Sequence, residues 1–338
     1  MTDPQLIDAL AEESAEQDVP GFRKKRNLCR ELLLGGGTGI YHLAHYTGGV
    51  LDFSLDILNH AATPAALDGA EPAQRREAHR RAGAQLVYRA ADLSRRVWEL
   101  QCGGLVRLAV QTRADLVFCN AVAGGEHVVG FGALPSAGTE TVADPSRASG
   151  IDRAAAQLAT ALRQLVRLPS QNPGGWLTAG DAQVPVSASA ADFMAYVVGS
   201  PEPGGLLSSA LRPAGLHYLS HHRAGEQTAA ADILRHPDLE SFFSRGVTVA
   251  GRRARYERLA GDLSLLAMQV SRDLRRTVAG QAERLVLDLE IGAVFYYLLA
   301  PDEYLFGVAL DQDWVTQADL DMSAVGRQLA RSDVRTGT

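Results

Sequence analysis

The sequence predicts an α+β protein of two tandem units, each with a central antiparallel sheet flanked by helices. Three observations carry this. A stretch of the chain aligns with a later stretch without a gap, the hydrophobic period changes at corresponding places in both, and each stretch closes on an amphipathic helix.

The repeat comes first, because it fixes the architecture. Residues 75–130 lie over 252–307 at a constant offset of 177 (252 minus 75). Identities include Arg75/Arg252, Arg76/Arg253, Leu86/Leu263, Ser94/Ser271, Arg95/Arg272, Arg107/Arg284, Phe118/Phe295, Glu126/Glu303 and Gly130/Gly307. The full set is roughly three times what this composition gives by chance, so duplication is the better account.

In the second copy Leu259, Leu263, Leu266, Val270 and Leu274 recur at steps of three and four, the signature of one buried helix face. The period then drops to two. Leu285, Leu287, Leu289 and Ile291 alternate with Arg284, Asp288 and Glu290, which predicts a strand with one apolar and one wet face. Ala293 to Leu299 is a continuous apolar run, Pro301-Asp302 a turn, and Tyr304 to Leu310 the returning strand. A last helix is expected from about Thr316 to Leu329.

The first copy follows the same order. Leu86, Ala90, Leu93, Val97 and Leu100 mark a helix ending at Gly103-Gly104; Val106, Leu108 and Val110 alternate with Arg107 and Gln111. Leu116 to Val122, the Gly124-Gly125 turn and His127 to Leu134 form a hairpin, and Ile151 to Leu168 the closing helix. Pro135 to Ser149 is a polar loop without counterpart in the second copy. Upstream strands are expected at Gly39–Leu43 and Val50–Leu55, then at Leu216–His221 and Gly246–Ala250, with a helix around Ala190–Val198. Turn formers from Pro169 to Gly175 place a boundary near 172: a first unit with an N-terminal extension over 1–172, a second over 173–332, and a disordered tail over 333–338.

Composition narrows the function. With 338 residues, 46% hydrophobic and 21% charged, the chain is close to an average soluble globular protein of about two domains. A net charge of −6 argues against a protein built to hold nucleic acid. Cys29, Cys102 and Cys119 show no zinc-ligand spacing and cannot all pair within one chain, so a reducing, cytoplasmic setting is the simplest expectation. The acidic N-terminal stretch has the wrong charge and is too polar for a signal peptide, and no uncharged apolar run has the length of a membrane span, so neither secretion nor membrane insertion is expected.

A helix, two strands, a long helix, a three-stranded meander and a final helix is the layout of the Roadblock/LC7 family. The chain resembles that family over Leu259–Ala279, Arg284–Leu310 and Asp321–Leu329, and over 75–168 through the repeat; the stretches 1–74 and 176–245 depart from it. GAF and profilin-like domains give a similar string of elements. The resemblance implies a non-enzymatic scaffold or regulator without cofactor, which dimerises and binds a protein partner, often a small Ras-like GTPase. It also implies that the central helix and the following strand form the symmetric contact. Here those are Arg75–Gln101 with Val106–Thr112, and Arg252–Ala279 with Arg284–Glu290, so the two copies are expected to pair inside one chain as a pseudo-twofold dimer that closes both edge strands. Further homo-oligomers are compatible with it; membrane association is not expected.

The candidate chemistry is sparse. Leu34-Gly35-Gly36-Gly37-Thr38-Gly39-Ile40 lacks the Lys-Ser/Thr pair of a phosphate loop and reads as a turn. On a strand, His217 and His221 share a face about 13 Å apart, too far for one metal ion. Asp302, Glu303, Asp311, Asp313, Asp319 and Asp321 do not match a calcium loop and read as turn and helix-start residues. No catalytic, cofactor or metal residues are assigned. Arginine alone shows pattern, from Arg75, Arg76, Arg80, Arg81 and Arg89 to Arg96, echoed by Arg252, Arg253, Arg255 and Arg258 to Arg276; Phe22 to Arg26 is a second basic cluster. Against a merely solvated helix face stands a docking face for an acidic partner. The expected partner interface is Arg95, Arg96, Arg272 and Arg276 with Tyr304 and Trp314 as exposed aromatic anchors. The rival expectation is a GAF-like small-molecule sensor, which a closed apolar cavity above roughly 300 Å³ would favour.

Overall fold

The computed structural model describes residues 4–14, 20–61, 63–64, 69–136, 141–176, 194–243 and 247–336. Its centre is one antiparallel sheet of twelve strands with helices on both faces. In chain order the strands are β1 (Ala11–Ser14), β2 (Ile40–Thr47), β3 (Val50–Asp56), β4 (Leu105–Gln111), β5 (Asp115–Ala123), β6 (Glu126–Ala133), β7 (Tyr196–Gly199), β8 (Tyr218–Arg223), β9 (Glu226–Asp232), β10 (Arg284–Leu289), β11 (Ala293–Ala300) and β12 (Glu303–Ala309). The helices are α1 (Pro4–Ala9), α2 (Pro20–Leu34), α3 (Pro72–Val97), α4 (Ser149–Leu165), α5 (Pro201–Ser209), α6 (Val249–Leu274) and α7 (Val315–Thr336).

Across the sheet the order is β1-β3-β2-β6-β5-β4-β10-β11-β12-β8-β9-β7. Read inward from either edge, the sequence of connections is the same. Register repeats as well: Cys119 pairs with Leu108 and Val129, while Tyr296, 177 positions on, pairs with Leu285 and Phe306. The two halves meet where β4 pairs with β10, with Ala109 opposite Val286, themselves 177 apart. Strands 106–112 and 284–290 are therefore neighbours, and neither presents a free edge there.

Helices α3 and α6 lie on one face of the sheet, and α2, α4, α5 and α7 on the other. Leu86, Leu93, Leu263 and Val270 pack on Leu108, Val110, Leu285 and Leu287; on the far side Ile151, Leu158, Met322 and Val325 cover Ala109, Phe118, Val286 and Phe295. Each long helix begins with a start signal: Pro72 follows Glu71 at α3, and the Thr248 hydroxyl accepts the Gly251 N–H at 3.0 Å at α6.

The double cover corrects one expectation. Arg107, Gln111, Arg284 and Asp288 are buried, because α4 and α7 lie over the face expected to be wet. Two upstream assignments and one at the C-terminal end also change. Of the strand expected over Gly246–Ala250, residues 247–250 form none, since Val249 opens α6, and Gly246 lies outside the described residues; the second strand there is β9. Tyr196–Gly199 is strand, and the helix begins at Pro201; residues 190–193 lie outside the described set. Helix α7 runs to Thr336, through most of the segment expected as a tail.

Gly130 and Gly307 show what the repeat preserves. A Cβ at Gly130 would strike the ring of Phe118, which is fully buried, whereas at Gly307 it would strike the Met322 Sδ and lie 3.2 Å from Leu219. Gly130→Ala should cost about 1–3 kcal/mol by overpacking, and Gly307→Ala less, because a thioether shifts more easily than a boxed ring. Urea unfolding midpoints check the order; a larger loss at Gly307 would contradict it.

Candidate functional site

Three places concentrate chemistry: the β4–β10 junction, a cleft beside α3, and the outward surface of α3 and α6.

At the junction two arginines are buried. Arg107 donates through Nε to Asp288 and through Nη1 to Asp152 at 2.7 Å. Arg284 donates to Asp319 through Nε at 3.0 Å and through Nη2, and to Gln111 Oε1 at 2.9 Å; its Nη2 also lies 3.6 Å from Asp152. Tyr297 donates to Asp319 at 2.6 Å. Each arginine thus holds one partner on its own closing helix and one across the junction. Gln111 and Asp288 correspond at the offset of 177, but Asp152 and Asp319 differ by 167 (319 minus 152), because the polar loop after β6 lengthens the first copy. Burial pushes the Asp288 carboxyl up against the pull of Arg107. Asp319, expected as a helix-start residue, is this network's second-half carboxylate.

The cleft, about 840 Å³, opens between α3 and the C-terminal end of α6. Arg276 stands on its rim, with exposed Gln74, Arg81 and Gln85, so it is not the closed cavity a sensor was expected to show. Its wall includes Tyr41 and His79, both buried. The His79 Nδ1–H donates to the Arg75 carbonyl at 2.7 Å, which leaves Nε2 as an acceptor without a partner. His42 sits behind it, ring centroids 5.0 Å apart, with neither nitrogen bonded. Burial holds His79 down at about 4 and drives His42 well below the ordinary histidine value, His79 adding to the effect. Tyr41 donates to Asp115 at 3.1 Å, and burial raises that carboxyl to about 6. The cleft therefore has a neutral, hydrogen-bond-accepting floor. In the second half Tyr218 and Tyr256 replace His42 and His79.

Of the expected interface residues, Arg95, Arg96, Arg272 and Arg276 are exposed. Arg95 and Arg96 both reach Asp92, at 3.1 and 2.9 Å, ion pairs of little energetic weight in water. Tyr304 is a correction. It is 3% exposed, because alternation along β12 turns it inward with Phe306 and Val308, and it stacks on His222 at 4.6 Å. Trp314 is half-buried in the turn before α7. On α3, the turn that follows it and α6, the exposed large apolar residues are instead Tyr88, Trp98, Leu265 and Met268. Tyr88, Ala91, Arg95 and Trp98 form one stripe at steps of three and four; Leu265, Met268 and Arg272 form its counterpart on α6. The signal that could have found them is the same helical period, since they fall off the buried faces marked by Leu86, Leu93, Leu263 and Val270.

Four further arginines are structural. Arg76 pairs with Asp56 at 2.9 Å and Arg253 with Asp232 at 2.6 Å, tying each long helix to the end of β3 or β9. Arg75 donates to the carbonyls of Leu58 and Pro64, and Arg252 to that of Phe242. In the Phe22–Arg26 cluster, Lys25 pairs with Glu126 at 2.5 Å and Arg26 lies 4.0 Å from Glu12.

The histidines in and just before β8 do not converge. His217 accepts the Leu310 N–H on Nδ1 and donates from Nε2 to the Pro213 carbonyl, and burial holds it at about 4. His221 bridges Thr228 at 2.5 Å and Glu303 at 2.7 Å. His45 makes the corresponding bridge in the first half, 2.7 Å from Asp52 and 3.6 Å from Glu126. Among the described residues no group of three or more His, Cys, Asp or Glu is placed to hold a metal ion, and no helix is long and apolar enough to cross a membrane. All three cysteines are buried free thiols, Cys29 and Cys119 pushed up to about 12 by burial.

No protein-family model matches the chain, and no curated protein shows significant similarity to it.

Proposed function

We propose that the chain is a non-enzymatic regulatory or scaffolding module of the cytoplasm that binds a protein partner through the outward face of α3 and α6. The observation that carries this is the pair of stripes: Tyr88 and Trp98 are each 65% exposed, Met268 63%, and arginines punctuate both helices. Exposed aromatic and methionine side chains beside arginine have the composition of interface hot spots. The reading of two paired Roadblock/LC7-like units draws support from the repeated strand order and the β4–β10 pairing. A small Ras-like GTPase is the partner class that resemblance suggests, by analogy alone.

Affinity capture from the native cell, with the full chain and with Arg95→Glu/Arg96→Glu/Arg272→Glu, tests it. The expected result is a partner held by the native chain and depleted at least tenfold on the variant, a loss of about 1.4 kcal/mol or more. Equal retention of every captured protein by both chains would sink the assignment of this face. Preferential capture of a GTP-loaded over a GDP-loaded GTPase would support the partner class.

The α3 cleft favours a second reading, a small-molecule sensor, because buried nitrogens without partners are costly unless something bonds to them. A thermal-shift screen of hydrogen-bond-donating heteroaromatics against the native chain and His79→Phe separates the two. Stabilisation lost in the variant supports the sensor.

A further inference from the structure

The two halves share register but not filling. On the helix-facing side of the second half, Tyr296 and Tyr304 are each 3% exposed and cover β11 and β12, with Leu298 beside them. The positions at the offset of 177 in the first half are Cys119, Ala121 and His127, and the pairings prove the equivalence: Ala121 faces His127 across β5–β6 as Leu298 faces Tyr304 across β11–β12. Three large side chains are thus replaced by smaller ones. The result is a groove of about 640 Å³ between α3 and the β5–β6 hairpin. Its floor is Cys119 and Ala121, Ala91 lines its helical wall, and Arg95 and Trp98 stand at its rim.

The second half shows what fits this floor: aromatic and leucine side chains. The rim adds charge. Arg95 is 70% exposed at the side chain and Arg96 53%; both reach Asp92, and Arg96 also lies 3.7 Å from Asp262, exposed pairs that an incoming carboxylate replaces at little cost. Trp98, 65% exposed, gives the same edge an aromatic surface.

We propose that this groove receives a segment of a partner protein that inserts an aromatic or leucine side chain over Cys119 and Ala121 and flanks it with acidic residues against Arg95 and Arg96. The proposal rests on the protein-binding reading and makes it specific: on the face formed by α3 and α6, the first half supplies the groove for the anchor side chain, while the second, self-filled, offers none. Apolar anchors desolvated in such a groove supply most of an interface's energy, and the rim charges set orientation and encounter rate.

A phage-displayed library of randomised short peptides is panned on the full native chain and on Cys119→Tyr/Ala121→Leu/His127→Tyr, which moves the second half's side chains into the first. Ala121→Leu/His127→Tyr, which leaves buried Cys119 in place, is the second filled variant, and thermal melting identifies variants that fold. The expected result is peptides with an aromatic or leucine flanked by Asp or Glu, bound at least tenfold more weakly by either folded filled variant and by Arg95→Glu/Arg96→Glu. Peptides that bind native and filled chains equally, or no enrichment at all, overturn the proposal. So does sedimentation showing that the native chain self-associates while a filled variant stays monomeric, since the occupant is then a second copy. A cellular partner captured equally by native and filled chains, but lost on the helix-face arginine variant, sinks the groove and leaves the broader reading intact.

Discussion

Arg107→Met is expected to destabilise the protein by about 3–5 kcal/mol, the cost of stranding a buried charge. Asp288 is fully buried, and among the described residues Arg107 is the one donor bonded to its Oδ2, while its Oδ1 has none. With the arginine gone, Asp288 must sit charged without a counterion or take up a proton. Asp152 is less affected, because Arg284 Nη2 lies 3.6 Å away. The damage is therefore centred on the β4–β10 seam and should weaken the cohesion of the two halves. Adding Asp288→Leu removes the stranded group and should recover most of the loss, since an apolar pair of similar volume is often no worse than a buried ion pair. Urea unfolding of the three chains decides the matter. A single-variant loss below about 1 kcal/mol, or a double variant no better than the single, would show that the seam does not depend on this pair.

That seam also shows where sequence reading stops. Alternation in Arg284–Leu289 revealed the strand and the face of Leu285 and Leu287, because burial under α6 selects every second residue. Alternation cannot say whether the other face is bare. Arg284 and Asp288 look the same on a solvated strand as beneath α7, and only the sheet's second helical layer makes them a buried network. The matching of Asp152 with Asp319 was hidden for another reason: the longer loop after β6 breaks the constant offset just before both residues. Strand β9 was missed because Glu226–Asp232, with three alanines, has none of the aromatic residues and only one of the β-branched residues that mark strands. Its burial comes from neighbours on both sides, which no local pattern records. The α3 and α6 stripes were half legible. The period showed which arginines face outward, but Trp98 follows the helix in its final turn and Tyr304 sits where a turn-flanking aromatic could equally point in or out.

Acid should unfold this protein through its histidines. His79, His217 and His222 are each held at about 4 in the folded chain, chiefly by burial, and His42 is driven down as well. Unfolded histidine titrates near 6.5, so between about pH 6.5 and pH 4 the unfolded chain binds more protons than the folded one, and stability falls as pH falls. Above about pH 6.5 the contribution is fully present. Each of the three is worth about 3 kcal/mol across that window, which together approaches the whole stability of a typical domain. Asp115 works the other way. Raised to about 6, it is protonated in the folded chain while still charged in the unfolded one, and so offsets about 3 kcal/mol of the loss over the same range. Burial also pushes up Asp56, Glu283, Asp288, Asp311 and Asp321, by smaller shifts that add to this offset; the large histidine shifts dominate, and the urea midpoint should drop between about pH 7 and pH 4.5. His42→Phe isolates one contributor. Neither nitrogen of His42 is bonded, so the substitution removes a buried polar ring without breaking a hydrogen bond and keeps an aromatic ring against His79 and Phe131; it should leave stability at neutral pH unchanged or higher while flattening the acid limb by up to one proton. A midpoint that holds steady or rises on acidification, or a His42→Phe profile parallel to the native one, would show that these imidazoles do not govern the acid limit.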